Sequence, residues 1–288
     1  MECKVAVLLV NYNGERYISQ CVESIRAQSY KNFDIILVDN HSTDKSIDII
    51  MNQYHDVKLI RRYKNEGFAF GNNVGIRYAI QNGYDYILLL NVDTEVDKKL
   101  IEVLLKYASN DTAVIPIIYS DRTHNNVCYA GGYLDLITGL ADGAYLRHAN
   151  KISDVTFMSG CCMLIHKNIW HKIGDFDEKY FLYYEDVDLC LRMTNHHVKM
   201  LYVPETWVYH KVGFRGMRKH EVYYMMRNQL YFMKKFKKQI KLSLTKTIYK
   251  AIKEKVIFAN IYYYPFRKYV ILGIWDFILK KMDCKQFI

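Results

Sequence analysis

The stretch Tyr86-Ile-Leu-Leu-Leu-Asn-Val-Asp-Thr94 decides the fold class, because five apolar residues run without interruption into a polar turn. A continuous apolar run of this length is typical of a strand that is buried on both faces of a sheet. Two runs of the same kind, Val5–Val10 and Ile35–Val38, come earlier in the chain, and apolar residues at helical spacing separate them. The alternation predicts an α/β fold with a mostly parallel central sheet flanked by helices.

The three predicted strands all end in polar residues. These residues are Asn11 and Asn13, Asp39 and Asn40, and Asn91 and Asp93. In a doubly wound parallel sheet, ligands bind beyond the carboxyl ends of the strands. Asp39 and the amide that follows it therefore indicate a contact with the base or ribose of a nucleotide. The alternative is that Asp39 only caps and turns the chain before the next helix.

Asp93 follows a fully apolar strand, where a carboxylate is costly to place unless its charge is compensated. Asn91 lies two residues earlier and therefore on the same face of the strand end. The cations Mg²⁺ and Mn²⁺ prefer oxygen ligands, usually one or two carboxylates together with substrate phosphates. The pair therefore indicates a divalent-cation site at this edge of the sheet.

A cluster of three carboxylates, Glu185, Asp186 and Asp188, opens another predicted helix. Acidic side chains stabilise helix N-termini, and this explains part of the cluster. The tyrosines at 183 and 184 just before it indicate the wall of a cleft, however. Clustered carboxylates raise one another's pKa, and a carboxylate tuned in this way can accept a proton from a sugar hydroxyl.

The charge divides the chain of 288 residues into an acidic body and a basic tail. Residues 1–210 carry 21 basic and 26 acidic side chains, whereas residues 211–288 carry 19 and 4. Amphipathic helices are predicted at about 219–238, 241–260 and 266–282. Basic charge with interleaved aromatic rings suits an anionic membrane surface, and residues 229–288 are the segment expected to bind there. An ordinary solvated basic face used in contacts between copies of the chain is the alternative.

The seven cysteines lack a CxxC spacing, which favours a reducing cytosol over a disulfide framework or a zinc site. The longest C-terminal apolar run is well short of the roughly 20 residues that a membrane-spanning helix needs. A cytoplasmic protein, or one held peripherally at the inner face of the cell membrane, is therefore expected. Nucleic-acid binding would explain the basic tail but not the acidic motifs of the body, and no nucleic-acid partner is expected.

The motifs in this order resemble those of family 2 glycosyltransferases with a GT-A fold, in the rhamnosyltransferase-like branch. The matching segments are Val10–Gly14, Val38–Asp44, Asn65–Asn73, Leu90–Thr94, Ser159–Cys162, Gly174–Glu178, Phe181–Arg192 and His210. The resemblance spans roughly residues 4–230. It implies a GT-A catalytic domain over residues 1–215, followed by a basic, amphipathic helical C-terminal extension over residues 216–288.

The resemblance also implies roles for individual residues. The donor-binding positions that it implies are Asn11, Asn13, Asp39, Asn65, Gly67, Asn72, Asn91, Asp93 and Asp188. Asp39 would bind a uracil or thymine base and its ribose. Asp93 would coordinate a cation, Mn²⁺ or Mg²⁺, that bridges the two donor phosphates, and His210 would be a further metal or phosphate ligand. Asn91 replaces the first acid of the family's acidic pair, which leaves the site with one charge fewer.

Asp186 would be the general base that deprotonates the acceptor hydroxyl, and Glu185 and Asp188 would orient the acceptor or the donor. The implied activity is an inverting transfer of a sugar, rhamnose or a hexose, from a dTDP- or UDP-linked donor. The acceptor would be a hydroxyl of a glycan or of a lipid-linked sugar in surface polysaccharide synthesis. A sugar nucleotidyltransferase of similar fold is the alternative, as is a non-catalytic module that binds membranes or nucleic acids.

Overall fold

The computed structural model describes residues 2–144, 150–211, 218–257, 263–282 and 285. The boundary expected between residues 215 and 216 lies outside them. The strands are β1 (Val5–Asn11), β2 (Phe33–Asp39), β3 (Lys58–Arg61), β4 (Tyr86–Asn91), β5 (Thr94–Val96), β6 (Thr112–Tyr119), β7 (Val127–Tyr129), β8 (Tyr133–Asp135), β9 (Leu140–Asp142), β10 (Ser153–Asp154), β11 (Cys162–His166) and β12 (Lys199–His210). Within the described residues, ten of these strands form one sheet, and β8 and β9 form a separate hairpin.

The strand order of the sheet creates a crevice at the ends of β1 and β4. β1 lies between β2 and β4 and is parallel to both, and β3 is parallel to β2 at the outer edge. β11 runs antiparallel between β4 and β6, whereas β12 lies parallel to β6. The predicted mostly parallel sheet is therefore confirmed. Because the chain leaves β1 to one side and returns to the other, the carboxyl ends of β1 and β4 form the crevice where such sheets bind ligands.

Helices cover the sheet where the sequence has apolar residues at helical spacing. The first helix buries Ile18, Cys21, Val22 and Ile25 as its spacing predicts. The helices are α1 (Ile18–Arg26), α2 (Ser46–Gln53), α3 (Phe68–Gln81), α4 (Leu100–Leu105), α5 (Lys167–Ile173), α6 (Glu185–Asn195), α7 (Lys219–Lys235), α8 (Leu244–Ile252) and α9 (Arg267–Ile278), with 3-10 turns at Glu178–Tyr180 and Tyr264–Phe266 and a π-helical turn at Lys253–Ile257.

The C-terminal helices pack on the body through α7. Phe232 and Met233 of this helix belong to the main apolar core, whereas Leu230 packs in a second core with Val270 and Ile274 of α9. Each of the three predicted C-terminal helices has a counterpart in α7, α8 or α9, and residues 258–260, where the second was expected to end, lie outside the described residues. Over the stretches that the structure describes, no helix is both long enough and apolar enough to cross a bilayer.

Two segments depart from regular strand pairing. Strand β12 shifts its register between Val203 and Trp207. Pro204 lies in this irregular part, where its missing N–H interrupts the ladder at little cost. Phe157 pairs with Gly132 in an isolated bridge.

Candidate functional site

A cavity of about 570 Å³ lies at the carboxyl edge of the sheet, beside the ends of β1 and β4. The predicted site residues that line it are Asn13, Asn65, Gly67, Asn91, Asp93, Glu185, Asp186 and His210. They come from loops, strand ends and a helix start that are far apart in the sequence. The sheet topology therefore brings most of the predicted site into one cavity.

Asp93 and His210 meet on one wall of this cavity because of a strand pairing. β5 begins at Thr94 and runs antiparallel to the end of β12, with Thr94 opposite His210. Asp93, the residue just before β5, therefore comes next to the imidazole, and Oδ1 of Asp93 lies 3.1 Å from Nε2 of His210. The backbone N–H of Lys211 also donates to the carbonyl oxygen of Asp93 at 2.8 Å.

The electrostatics of this pair suit a cation. Burial lowers the pKa of His210, but the Cys161 sulfur and the Asp93 carboxylate outweigh burial and hold that pKa well above the ordinary histidine value. Carboxylate oxygen and imidazole nitrogen are both ligands that Mn²⁺ accepts. No cluster of three His, Cys, Asp or Glu side chains able to hold a metal exists among the described residues. A cation at this pair therefore needs further oxygen ligands, which substrate phosphates and water supply.

Glu185 and Asp186, on another part of the cavity lining, are the first two residues of α6. The backbone N–H of Gly160 donates to Oδ2 of Asp186 at 3.0 Å, and that of Val187 donates to Oδ1 at 2.8 Å. Burial raises the pKa of Asp186 despite these bonds. Burial, and then repulsion from Asp186, raise the pKa of Glu185 well above its ordinary value. The raised pKa values of both carboxyl groups suit the pair to proton transfer.

The turn before α6 has a strained backbone. Tyr183 and Tyr184 have φ angles of 68° and 74°, a left-handed conformation that favours glycine. Such residues cost on the order of 1–3 kcal/mol each and persist only where surrounding contacts hold them. The turn places Glu185 and Asp186 at the cavity, so the strain lies directly beside the candidate base.

Gly67 allows two backbone segments to approach each other closely at the cavity wall. Its φ of 93° and ψ of 174° form a conformation that is almost confined to glycine. A Cβ atom at this position would lie 2.3 Å from the carbonyl oxygen of Phe181. Asn65 and Asn40 fix this residue, because Asn65 Oδ1 accepts from its N–H at 3.0 Å and Asn40 Nδ2 donates to its carbonyl at 2.9 Å.

Asn11 and Asp39 lie behind the cavity wall and do not line it. Nδ2 of Asn11 donates to Asp39 Oδ1 at 3.1 Å and to Ser46 Oγ at 2.9 Å, and Asp39 also accepts from the hydroxyl of Ser42. Both side chains are fully buried in this network. Asn40, the next residue, lines the cavity instead. Asp39 therefore does not line this cavity, because its oxygens accept from Asn11 and from the loop after β2, and its contact with a nucleotide stays a prediction.

Asn72 and Asp188 do not line the cavity either, and their contact with the donor stays a prediction. Nδ2 of Asn72 donates to the carbonyl oxygen of Phe68 within α3, at 2.9 Å. Asp188 is 0% exposed and accepts from Nε of Arg192 and from Nζ of Lys235, each at 2.6 Å. It follows Asp186 by two residues, which turns it to a different side of α6 and into the core.

Several lining residues were not predicted. Arg218, His220 and Glu221 reach the cavity from the residue before α7 and its first turn. No motif indicates them, because they lie in the segment that the sequence analysis assigns to the basic C-terminal region. Ser159 and Gly160 also line the cavity, and here a signal was available in the matching segment Ser159–Cys162.

Comparison with known proteins agrees with this geometry. The family model for glycosyl transferase family 2 matches residues 6–174, more than half of the chain. The chain is 25% identical over 281 residues to the dTDP-rhamnosyl transferase RfbF of Shigella flexneri, with 90% of each protein covered. It is also 25% identical over 232 residues to the N-acetylglucosaminyl-diphospho-decaprenol L-rhamnosyltransferase of Mycobacterium tuberculosis, covering 71% of this chain and 75% of that protein.

The fold is similar to that of GalNAc-T7, whose crystal structure contains UDP, GalNAc and Mn²⁺. The TM-score is 0.66 at 16% identity, and the match covers 97% of this chain and 56% of that one. The predicted GT-A fold is confirmed. The family match decides for a glycosyltransferase over the nucleotidyltransferase and the non-catalytic module. The order of the motifs, the shared cavity and the matching family model all lead to one conclusion: the chain belongs to glycosyl transferase family 2.

Proposed function

We propose that the chain transfers a sugar, with inversion, from a nucleotide-diphosphate donor to a hydroxyl of a lipid-linked or glycan acceptor in surface polysaccharide synthesis. The observation that carries this proposal is that the pair Asp93–His210 and the base candidate Asp186 line the same cavity. The names of the relatives favour dTDP-rhamnose as the donor. A UDP-hexose is the alternative donor.

Asp93 and His210 are the residues that would hold a divalent cation, Mn²⁺ or Mg²⁺, against the donor diphosphate. When bound, such a cation stabilises the negative charge that develops on the leaving nucleoside diphosphate. The neutral amide of Asn91 replaces a carboxylate, which leaves Asp93 as the only acid of this turn that faces the cavity. The imidazole must give up its proton before it can ligate a metal.

Asp186 is positioned to accept the proton of the attacking hydroxyl. The acceptor oxygen then forms a bond to the anomeric carbon as the bond from that carbon to the donor phosphate breaks, and the configuration inverts. The proton stays on Asp186 until solvent removes it, and the electron pair of the broken bond leaves with the nucleoside diphosphate. The raised pKa of Asp186 strengthens it as a base, because proton transfer is most effective when the pKa of the base is near the working pH.

We also infer that the C-terminal helices bind an anionic membrane surface at the inner face of the cell membrane, where a lipid-linked acceptor is anchored. On α9, Ile271, Trp275 and Ile278 follow one another at spacings of four and three residues and are all exposed. Lys268 precedes this stripe, and Lys280 and Lys281 follow it. An apolar stripe with lysines at both ends is typical of a helix that lies in the membrane interface. Pairing of two copies of the chain through this face is the alternative.

A thermal-shift screen of nucleotide sugars with and without Mn²⁺ tests the donor proposal. A ligand that binds only the native state stabilises it by RT ln(1 + [L]/Kd), and the melting temperature rises accordingly. We expect dTDP-rhamnose to stabilise the protein more than UDP-glucose or UDP-N-acetylglucosamine, and only in the presence of the metal. If no nucleotide sugar changes the melting temperature, with or without Mn²⁺, the proposal is contradicted.

A further inference from the structure

We propose that Asn228, buried in α7, is a positioning residue that holds the strained turn before α6 and thereby aims Asp186. This inference rests on the proposed role of Asp186 as the base. Asn228 is 0% exposed and lies outside the cavity lining. It therefore acts through the backbone of the turn and does not touch the substrate.

The contacts of Asn228 match the two carbonyl groups of the turn. Its Nδ2 atom donates to the carbonyl oxygen of Leu182 and to that of Tyr183, each at 2.8 Å. Its Oδ1 atom accepts from Nε of Arg227 at 2.9 Å, which fixes the orientation of the amide. An amide nitrogen carries two N–H groups, so one side chain can bind two successive carbonyls. Neither a carboxylate nor an alanine can make these bonds.

Other side chains near the start of α7 hold the same turn. The rings of Phe181 and Tyr224 stack with centroids 5.3 Å apart. The hydroxyl of Tyr183 donates to Oε1 of Glu221 at 3.3 Å. Asn228 differs from these partners because it bonds directly to the backbone at the position where φ becomes positive. It is therefore the contact that opposes relaxation of the strained conformation most directly.

Loss of these bonds should affect catalysis more than donor binding. Tyr183 and Tyr184 would relax toward ordinary backbone angles, and the first turn of α6, which carries Asp186, would move with them. Asp93 lies between β4 and β5, and His210 ends β12. The side-chain hydrogen bonds of Asn228 go instead to Leu182, Tyr183 and Arg227. The expected signature is a lower kcat at a nearly constant donor KM.

The experiment compares Asn228→Ala and Asn228→Asp with a matched control, Gln28→Ala. Gln28 is also a buried amide that joins two backbone groups, since Nε2 donates to the Asp97 carbonyl at 2.6 Å and Oε1 accepts from the Ile101 N–H at 3.0 Å. Gln28 lies outside the cavity lining. Hydrolysis of dTDP-rhamnose with Mn²⁺, in which water is the acceptor and rhamnose and dTDP are released, gives kcat and KM. Hydrogen exchange of the amides of residues 182–188 reports the turn.

For both Asn228 variants we expect faster exchange over residues 182–188, a kcat that is roughly 10- to 100-fold lower, and a donor KM within about threefold of the wild type. Gln28→Ala should lower the melting temperature by a similar amount but keep its kcat within about threefold. Unchanged exchange in the Asn228 variants would overturn the proposal. An equal loss of kcat in Gln28→Ala would also overturn it, because lost stability would then explain the effect. If the wild type releases no dTDP, the proposed function fails, and the exchange result still decides whether Asn228 holds the turn.

Discussion

Asp93 and His210 are 117 positions apart in the sequence, and their side chains meet at 3.1 Å. The meeting depends on β5, which follows Asp93 directly and pairs with the last residues of β12. The imidazole and the carboxylate are therefore fixed by the ladder of the central sheet, not by a mobile loop. If this pair holds a cation, as we propose, the two side chains would need little reorganisation when the donor binds.

Replacement of Asp93 by alanine should abolish the effect of the metal on donor binding. The variant loses the carboxylate ligand, and the imidazole alone binds a hard cation weakly. We expect the Kd for dTDP-rhamnose, measured by calorimetry with Mn²⁺, to rise at least about tenfold. Without Mn²⁺, neither the variant nor the wild type should bind the donor measurably.

The exposed Asp154 provides a matched control, because its side chain is 75% exposed and pairs with Lys199 at the surface. Asp154→Ala should keep the full response to Mn²⁺. A response that persists in Asp93→Ala would show that the cation binds elsewhere in the cavity.

Asp188 should behave as a structural residue, in contrast to the sequence-based expectation. Asp188→Asn leaves the charges of Arg192 and Lys235 without their buried carboxylate, and we expect a loss of roughly 3 kcal/mol in the free energy of unfolding. Asp175→Asn breaks a surface ion pair with Arg77 and should cost about 1 kcal/mol or less. Denaturant unfolding measures both values. A Kd for the donor more than about threefold weaker in the folded Asp188→Asn protein would restore the donor-binding role.

The comparison of Asp186 with Asp188 shows what the sequence could predict. Residues at strand ends and at a helix start can be assigned to the carboxyl edge of the sheet, because the edge is set by topology. Which side of α6 each acid takes depends on the exact start of the helix, and that start is fixed by the strained turn at Tyr183 and Tyr184. The residue types do not predict this turn, because a positive φ is typical of glycine and both positions are tyrosine. The hydrogen bonds from Asn228 of α7 to this turn could not be predicted either, because they join residues 46 and 45 positions apart in the sequence.

A side chain at Gly67 should destabilise the protein. Gly174 is the control that separates backbone strain from the steric clash. Gly174 has a φ of 76° and a ψ of 176°, nearly the conformation of Gly67, but a Cβ atom there would have no neighbour within 4 Å. Gly174→Ala therefore measures backbone strain alone. Gly67→Ala adds the clash with the Phe181 carbonyl and should be less stable by a further 1–3 kcal/mol or so. It should also weaken donor binding, since Phe181 lines the cavity. Equal losses in the two variants, measured by denaturant unfolding, would contradict the close approach.

Glu185→Gln should stabilise the protein at alkaline pH and leave it unchanged in acid. The pKa of Glu185 is raised in the folded state, so the folded protein holds this proton more tightly than the unfolded chain. Its contribution to stability is complete below the ordinary glutamate pKa and is lost as the pH rises toward the raised value. Glutamine does not ionise, so the variant does not lose this stability as the pH rises. The melting temperatures of Glu185→Gln and the wild type should agree near pH 4. At about pH 8 the variant should melt at the higher temperature, by on the order of 2–4 °C for each kcal/mol gained in the free energy of unfolding. A constant difference across the range would show that the carboxyl group does not titrate abnormally.

Substitution of the apolar stripe on α9 should release the protein from anionic membranes. Trp275 is 57% exposed and Ile271 is 50% exposed, and burying each side chain in the interface contributes roughly 1.5–3 kcal/mol. Ile271→Ser with Trp275→Ser should therefore lower sedimentation with phosphatidylglycerol vesicles at least about tenfold. Met51→Ser removes an equally exposed apolar side chain from α2 and should change nothing. Binding should also weaken with salt, because lysines supply part of the attraction. Equal binding of the wild type to phosphatidylcholine vesicles would contradict the preference for an anionic surface. An oligomer that the α9 substitutions dissociate would assign the stripe to contacts between copies of the chain.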